Sequence, residues 1–351
     1  MSSEGIPLDL TVNGSGQGQS LYSIPERRIA IDLIDNNDPE WGKYYSYIGL
    51  GQNTTEITVK FSRAVGGLGL ANVSIYNLHP DVVNRFTQTS YLPRVPNKIK
   101  IYAAYKNRGE EENYASLGNP IFEGYILWAA PVGITDIALQ IEAMEEYPKI
   151  NSDVVCSPAE GGNPPSTTSF DIIESVLGYV GLGVKKDALN LVEDKYRKPK
   201  GIDFTNYSFS GKVSDFLNNE LFRFNRMQYV IDGSIVYLRP NSDDENYLLS
   251  IYEVEPDEFI GSKLRDSVNG YEGVSKFQTV MVGIPEVSYY GVKLRVLFTK
   301  KLKSGDRFRL YSRLYPKFNY IYEIINIKYD LQLRGQNFYM DLECIRSRNS
   351  K

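Results

Sequence analysis

Glu56-Ile-Thr-Val-Lys-Phe61 and Asn72-Val-Ser-Ile-Tyr-Asn-Leu78 alternate apolar and polar residues. Successive side chains of a strand point to opposite faces. Each run therefore puts one face in a core and the other in solvent or against a partner. The pattern extends both ways. Upstream lies Arg28-Ile-Ala-Ile-Asp-Leu-Ile34; downstream lie Lys98-Ile-Lys-Ile-Tyr102, Ile121-Phe-Glu-Gly-Tyr-Ile126 and Asp136-Ile-Ala-Leu-Gln-Ile-Glu142. Turn formers separate the runs at Pro93, Pro96-Asn97, Gly118-Asn-Pro120 and Gly133. Many short strands so spaced predict a barrel-like β domain over 25–150, with Pro80 to Phe86 as a helical turn inside it. Residues 1–24 are polar and include Asn13-Gly-Ser-Gly-Gln-Gly-Gln-Ser20, which reads as a flexible arm.

The period changes beyond residue 150. Pro158 and Gly161-Gly-Asn-Pro-Pro165 mark a linker over 151–167. Thr168-Ser-Phe-Asp171 is a capping box ahead of Ile172, Ile173, Val176, Leu177 and Val180, which share one helical face. Gly181 or Gly183 would close that helix. A second helix fits Val213 to Phe224, with Phe216, Leu217, Leu221 and Phe224 on its stripe. Met227-Gln-Tyr-Val-Ile231 and Ser234-Ile-Val-Tyr-Leu238 then flank Asp232-Gly233, the signature of a two-residue hairpin turn. Residues 168–260 thus read as an α+β domain.

From about Gly261 the period returns to two. Gly291-Val-Lys-Leu-Arg-Val-Leu-Phe298, Arg307-Phe-Arg-Leu310, Tyr322-Glu-Ile-Ile-Asn-Ile-Lys328 and Asn337-Phe-Tyr-Met-Asp-Leu342 read as strands of a second barrel-like domain over 261–351. The predicted fold class is mixed and β-rich, two barrel-like antiparallel β modules separated by an α+β module.

Composition narrows the function classes. Over 351 residues the net charge is −4, with no concentrated basic footprint, which argues against a nucleic-acid partner. No apolar run approaches the ~20 residues of a membrane helix, so membrane insertion is not expected. The chain opens without a basic and apolar leader. Cys156 and Cys344 lie far apart and read as reduced thiols. Tyrosine is abundant, 27 against 2 Trp, which suits half-buried sheet faces and protein interfaces.

Catalytic machinery is not legible. His79 is the one histidine, so zinc sites, Cys–His pairs and Ser–His–Asp triads lack parts. Gly66-Gly67-Leu-Gly69 fails the dinucleotide fingerprint, because position 72 is Asn and no βαβ unit surrounds it. The acidic runs Glu110-Glu-Glu112, Glu145-Glu146 and Asp243-Asp-Glu245 read as solvated loop charge. No enzyme activity, cofactor or metal is expected. The alternative is a β-sandwich protein that binds or cleaves carbohydrate, which would need a concave site with convergent polar groups.

Four stretches carry a resemblance. Val73-Ser-Ile-Tyr-Asn-Leu78 leads into a short helix bearing Val82, Val83 and Phe86. Ile121-Phe-Glu-Gly-Tyr-Ile126 precedes Gly133-Ile-Thr-Asp136. A helix feeds the Val230-Ile-Asp-Gly-Ser-Ile-Val236 hairpin. Gly283-Ile-Pro285, Leu302-Lys-Ser-Gly-Asp306 and Arg334-Gly-Gln-Asn-Phe-Tyr339 follow. In this order, over about 55–345, the chain resembles the baseplate hub proteins of contractile-tailed phages, the Mu-type hub and late-control D families. The resemblance implies a homotrimer that joins a sixfold tail tube to a threefold central spike. The implied partners are the tail tube protein, the central spike protein and baseplate wedge proteins, in a virion tail assembled in the host cytoplasm. It brings no catalytic motif with it.

One surface follows from the alternation. Lys293 and Arg295 are two apart on one strand, and Arg307 and Arg309 on the next, with Leu294, Val296, Phe308 and Leu310 between them. Period two predicts the four cations on one face, a candidate interface for an acidic neighbour.

Overall fold

A computed structural model describes residues 26–36, 38, 45–46, 56–88, 91, 96–106, 117–156, 169–185, 208–220, 227–240, 251–254, 277–279, 281–289, 291–300, 302–310 and 315–346. The expected arm over 1–24, most of the linker over 151–167 and the acidic runs at 110–112 and 243–245 lie outside them.

The N-terminal strands are β1 (Glu26–Ile34), β2 (Tyr45–Ser46), β3 (Ile57–Ala64) and β4 (Leu70–Tyr76). Helix α1 (Pro80–Phe86) follows, with the His79 ring accepting from the Asp81 N–H at its start. Next come β5 (Lys98–Lys106), β6 (Phe122–Val132) and β7 (Ala138–Met144). The middle of the chain holds α2 (Tyr147–Ile150), β8 (Asp153–Cys156), α3 (Ser169–Tyr179), β9 (Gly183–Lys185) and β10 (Phe209–Lys212). It continues with α4 (Val213–Asp215), a π-helical turn over Phe216–Glu220, β11 (Met227–Asp232) and β12 (Ile235–Pro240). The last strands are β13 (Ile251–Val254), β14 (Phe277–Thr279), β15 (Glu286–Val287), β16 (Gly291–Leu297), β17 (Arg307–Leu310), β18 (Ile321–Gln332) and β19 (Phe338–Arg346).

The chain is mixed and β-rich, as the periodicity predicts. Alternation holds strictly on β3, where Ile57, Val59 and Phe61 are buried while Thr58, Lys60 and Ser62 are not. On β1 it fails in an informative way. Ala30 and Asp32 are buried along with Ile29, Ile31 and Leu33. The second face of β1 packs on Tyr102 and Leu117, so neither face is left to solvent.

The two β halves are not separate in space. β3 pairs antiparallel with β18 from Asn326↔Ala64 to Gln332↔Thr58. This pairing joins β2-β1-β5-β6-β7-β4-β3 to β18 and its neighbours in one sheet. The pairings are antiparallel except that β13 runs parallel to β14 and β17. One apolar core serves both halves. It runs from Ile29, Ile31 and Leu33 through Phe61 and Phe122 to Phe298, Phe338 and Met340. At the join, the Phe61 and Tyr329 rings stack at 3.8 Å. The sheet also curls back on itself. Arg27 on β1 donates to the Gly335 carbonyl at 2.6 Å, just beyond β18, and Tyr105 on β5 packs on Phe338 at 5.0 Å.

A second core belongs to the middle of the chain: Ile172, Ile173, Val176 and Leu177 of α3, with Phe216, Tyr229, Ile231, Val236 and Leu238. These are the residues the helical stripe and the hairpin pattern select. Gly181 closes α3 at φ +70, as glycine alone does without cost. Two details differ from expectation. The second helix is a single α turn that widens into a π turn, and residues 221–224 lie outside the described residues. The hairpin turn sits one residue later than Asp232-Gly233: Asp232 pairs with Ile235, which leaves Gly233-Ser234 as the loop. Gly233, at φ +61, takes the first loop position, where a tight hairpin needs positive φ.

Candidate functional site

The two cores meet along a seam built of charge. Arg63 stands at the end of β3 on the same face as Ile57, Val59 and Phe61, so the strand carries its guanidinium inward. Glu145, just past β7, continues the inward phase of Leu139, Ile141 and Ala143 and is fully buried. The two form a two-pronged ion pair. Arg63 also donates to the Ile121 carbonyl at 3.1 Å, and the Gly69 N–H donates to Glu145 at 3.1 Å. A β-carbon on Gly69 would collide with that carboxylate, so a side chain there would have to displace the ion pair.

From the second core comes Asp232, the last residue of β11. Its carboxylate lies 3.2 Å from Arg63 and 2.6 Å from Lys303. Lys303 reaches the Tyr237 hydroxyl at 3.2 Å as well. Ser304, beside it, donates to the Arg63 carbonyl at 2.6 Å. On the other side of the turn, Ser234 donates to Glu146 at 2.6 Å, and Lys149 lies 3.1 Å from the same carboxylate. Glu146 has φ +44, a left-handed conformation that non-glycine residues adopt at some cost. Backbone contacts complete the seam: Gly66 N–H donates to the Tyr229 carbonyl at 2.7 Å, and the Tyr229 hydroxyl donates to the Gly66 carbonyl at 3.1 Å.

Burial sets the ionisation of the seam. Burial pushes the Glu145 carboxyl up, and Arg63 pulls it back only in part. Burial alone would lower the Arg63 guanidinium, but Glu145 and Asp232 outweigh it and hold the group more firmly protonated. Lys303 follows the same logic, raised by Asp232 against its own desolvation. Tyr329, under the join, is pushed up by burial. Glu145-Glu146, expected as solvated loop charge, is therefore the opposite: both side chains are buried and paired, because β7 ends beneath the middle module rather than at the surface.

A cleft of about 650 Å³ opens at this junction, lined by Arg63, Asp232, Tyr237, Lys300, Lys303 and Tyr329 among others. Lys300 spans its rim and donates to the Leu117 and Asn119 carbonyls. Among the described residues there is no cluster of three or more His, Cys, Asp and Glu able to hold a metal.

The four cations picked from the alternation separate into two environments. Lys293 and Arg295 are exposed on β16, where Arg295 makes a fork to Asp341 at 2.7 and 3.0 Å and Lys293 lies 3.8 Å from Glu343. Lys328 on β18 shares Glu343 at 3.1 Å. Arg307 is only 4% exposed and pairs with Glu323 at 3.2 Å, on a strand separated from β16 by β18 and β19. The Arg309 side chain lies outside the described residues. The structure thus brings Lys293 and Arg295 together and does not bring Arg307 to them.

Two groups of exposed apolar side chains sit at turns, apart from Val155 and Tyr179 on the middle module. Val132, Ile134 and Ile137 form the β6–β7 tip, with Ile134 98% exposed; Ile284, Val287 and Tyr289 surround β15.

Residues 262–344 match the family described as baseplate hub gp41. Among solved structures, the chain is similar to the 43 kDa tail protein of prophage MuSo2 from Shewanella oneidensis. That likeness has 11% identity and a TM-score of 0.50, and covers 93% of this chain and 100% of that one. At this identity it establishes shared fold only. The E. coli c3393 protein, a component of the type VI secretion system, matches at 10% identity and a TM-score of 0.44, over 85% of this chain and 75% of that one. A chain of the Francisella PdpA-VgrG complex matches at 9% identity and a TM-score of 0.47, over 94% of this chain and 54% of that one. These two, with TM-scores under 0.5, add no weight. No curated protein matches the chain. The family match and the shared fold support a structural protein of the phage baseplate-hub type, the family resemblance read from the sequence.

Proposed function

We propose that this chain is a trimeric baseplate hub that joins a sixfold tail tube to a threefold central spike. The observation that carries the reading is the match of residues 262–344 to a baseplate hub family. The layout fits the task. A threefold ring offers six similar positions only if each chain supplies two similar domains. The β modules at 25–150 and 261–351 would take those places, and the α+β module would lie off the ring. The β3–β18 pairing supports this, since it gives the two modules one body rather than a flexible tether. The tail tube, the central spike and the baseplate wedges are the proposed partners, in a virion tail assembled in the host cytoplasm. No catalytic role is proposed.

Lys293 and Arg295, with the apolar β6–β7 tip, are the proposed contact residues. Both cations already hold carboxylates within the chain, so a neighbour would meet a balanced striped face rather than bare positive charge. Complementarity of that kind sets register more than affinity.

Mass photometry of the purified chain, followed by cryo-EM of the isolated protein or its particle, tests the reading. The expected result is a trimeric ring in which the two β modules superpose about a pseudo-sixfold axis. A monomer within the particle, or β modules that do not superpose, overturns it.

A further inference from the structure

The seam raises a question that the hub reading does not answer: why the middle module is held by charge when both cores beside it are apolar. Its own core is built from α2, β8, α3, the helical turn at 213–217 and the hairpin, with Leu68 of the body packed at its margin. What it presents across the seam is the Asp232–Ser234 turn. Every strong contact there is ionic or hydrogen-bonded: Asp232 to Arg63 and Lys303, Ser234 to Glu146. Buried ion pairs add little net stability, because desolvation offsets their attraction. Their best-attested use is to fix one arrangement over others.

The module supplies part of the negative charge that these cations meet. Within the body, Glu145 neutralises Arg63. Asp232 then provides the carboxylate for Lys303 and a second one for Arg63. The two cations come from different halves of the body, Arg63 from β3 and Lys303 from the segment before β17. They stand together because β3 pairs with β18 and Ser304 bonds the Arg63 carbonyl. The left-handed Glu146 lies where the chain leaves β7 for the middle module, so a change of backbone angle there would reorient the module.

We propose that Arg63 and Lys303 form an ionic socket for Asp232, and that this socket sets the position of the α+β module on a body whose two β halves are joined. The socket is a positioning device, with Glu146 as the pivot. It does not rest on the hub reading.

The test uses the full chain with Cys156→Ser and spin labels at Tyr179→Cys on α3 and Ile134→Cys on the β6–β7 tip. Both positions are exposed, at 68% and 98%. Labelled protein is diluted with unlabelled chain, so only distances within one chain are read, whatever the oligomer. Double electron–electron resonance should give one narrow distance for the parent. Asp232→Asn and Lys303→Met should each lose it to a broad distribution, with the far-UV spectrum unchanged. Should Asp232→Asn fail to fold, Lys303→Met decides alone, because it leaves Arg63, Glu145 and Asp232 in place. Retention of the parent's narrow distance in the folded variants overturns the proposal. A monomeric chain with the expected broadening would sink the hub reading and leave the socket standing.

Discussion

Two joins hold this molecule together, and their chemistry is opposite. Between the β halves, β3 and β18 share a ladder and an apolar core, with Phe61 stacked on Tyr329 and tilted against Phe122 at 5.6 Å. Between the body and the middle module, the side-chain contacts are chiefly carboxylates, a guanidinium, an ammonium and hydroxyls, beside a Gly66–Tyr229 backbone bond and Leu68 at the margin. Apolar contact is non-directional and scales with area, so it fuses. Ionic contact is directional and costly to misalign, so it positions. The same chain uses the first to make one body of two modules and the second to orient a third.

Phe61→Ala attacks the fused join and should have the largest effect. Truncating a fully packed aromatic costs about 3–5 kcal/mol. Because one core serves both halves, denaturant unfolding followed by fluorescence should move both to lower denaturant in a single transition. Two separated transitions would show that the halves are independent after all.

Glu145→Ala attacks the seam from the body side. It leaves Arg63 buried beside Asp232 with its main partner gone, which should cost about 3 kcal/mol. Replacing both partners by apolar residues, Arg63→Met with Glu145→Leu, should recover much of that loss in the same unfolding assay, since no charge is then left unpaired. An equal loss in the double variant would mean that the pair stabilises outright, against the contrast drawn here.

Alkali should separate the joins by another route. Burial pushes the Tyr105 and Tyr322 phenols up to about 12, and both belong to the body core. In the unfolded chain such phenols ionise near 10. Their contribution is therefore complete below about pH 10 and lost as pH rises toward 12. Thermal unfolding should weaken over that window, with late phenolate absorbance appearing as the body opens. Ionisation of every tyrosine near pH 10 without loss of structure would contradict it.

Much of this was legible in the sequence. Period two located β3, β4, β16 and β19, and the stripe from Ile172 to Leu177 located α3 and its buried face. The pairing of β3 with β18 was not legible, because the residues are more than 250 positions apart and alternation does not name a partner. The seam left a signal that went unread. Arg63 and Glu145 both fall on the apolar phase of their strands, and a charge on the core phase of an alternating run needs a buried partner. Asp232 gave less warning, since Asp-Gly is a turn signature whatever the carboxylate touches. The basic face was read too broadly for a related reason. Alternation separates the two faces of a strand but cannot say that a residue of the polar face is buried, as Arg307 is.

That last point gives the smallest effect and the finest test. Arg295 and Arg307 look alike in sequence, each a cation between apolar neighbours on a strand. Arg295 is half-exposed, forks to Asp341 and lies over the Tyr339 ring at 5.4 Å. Arg307 is buried against Glu323. For an exposed pair, Coulomb attraction in water is weak and side-chain ordering opposes it, so Arg295→Ala should cost no more than about 1 kcal/mol and less at high salt. Arg307→Ala removes a buried ion-pair partner of Glu323, so its cost should exceed that of Arg295→Ala and change little with salt. Unfolding free energies of the two variants at low and high salt make the comparison. Equal, salt-sensitive losses would place both cations on one solvated face, as the alternation alone suggests, and would contradict the burial of Arg307.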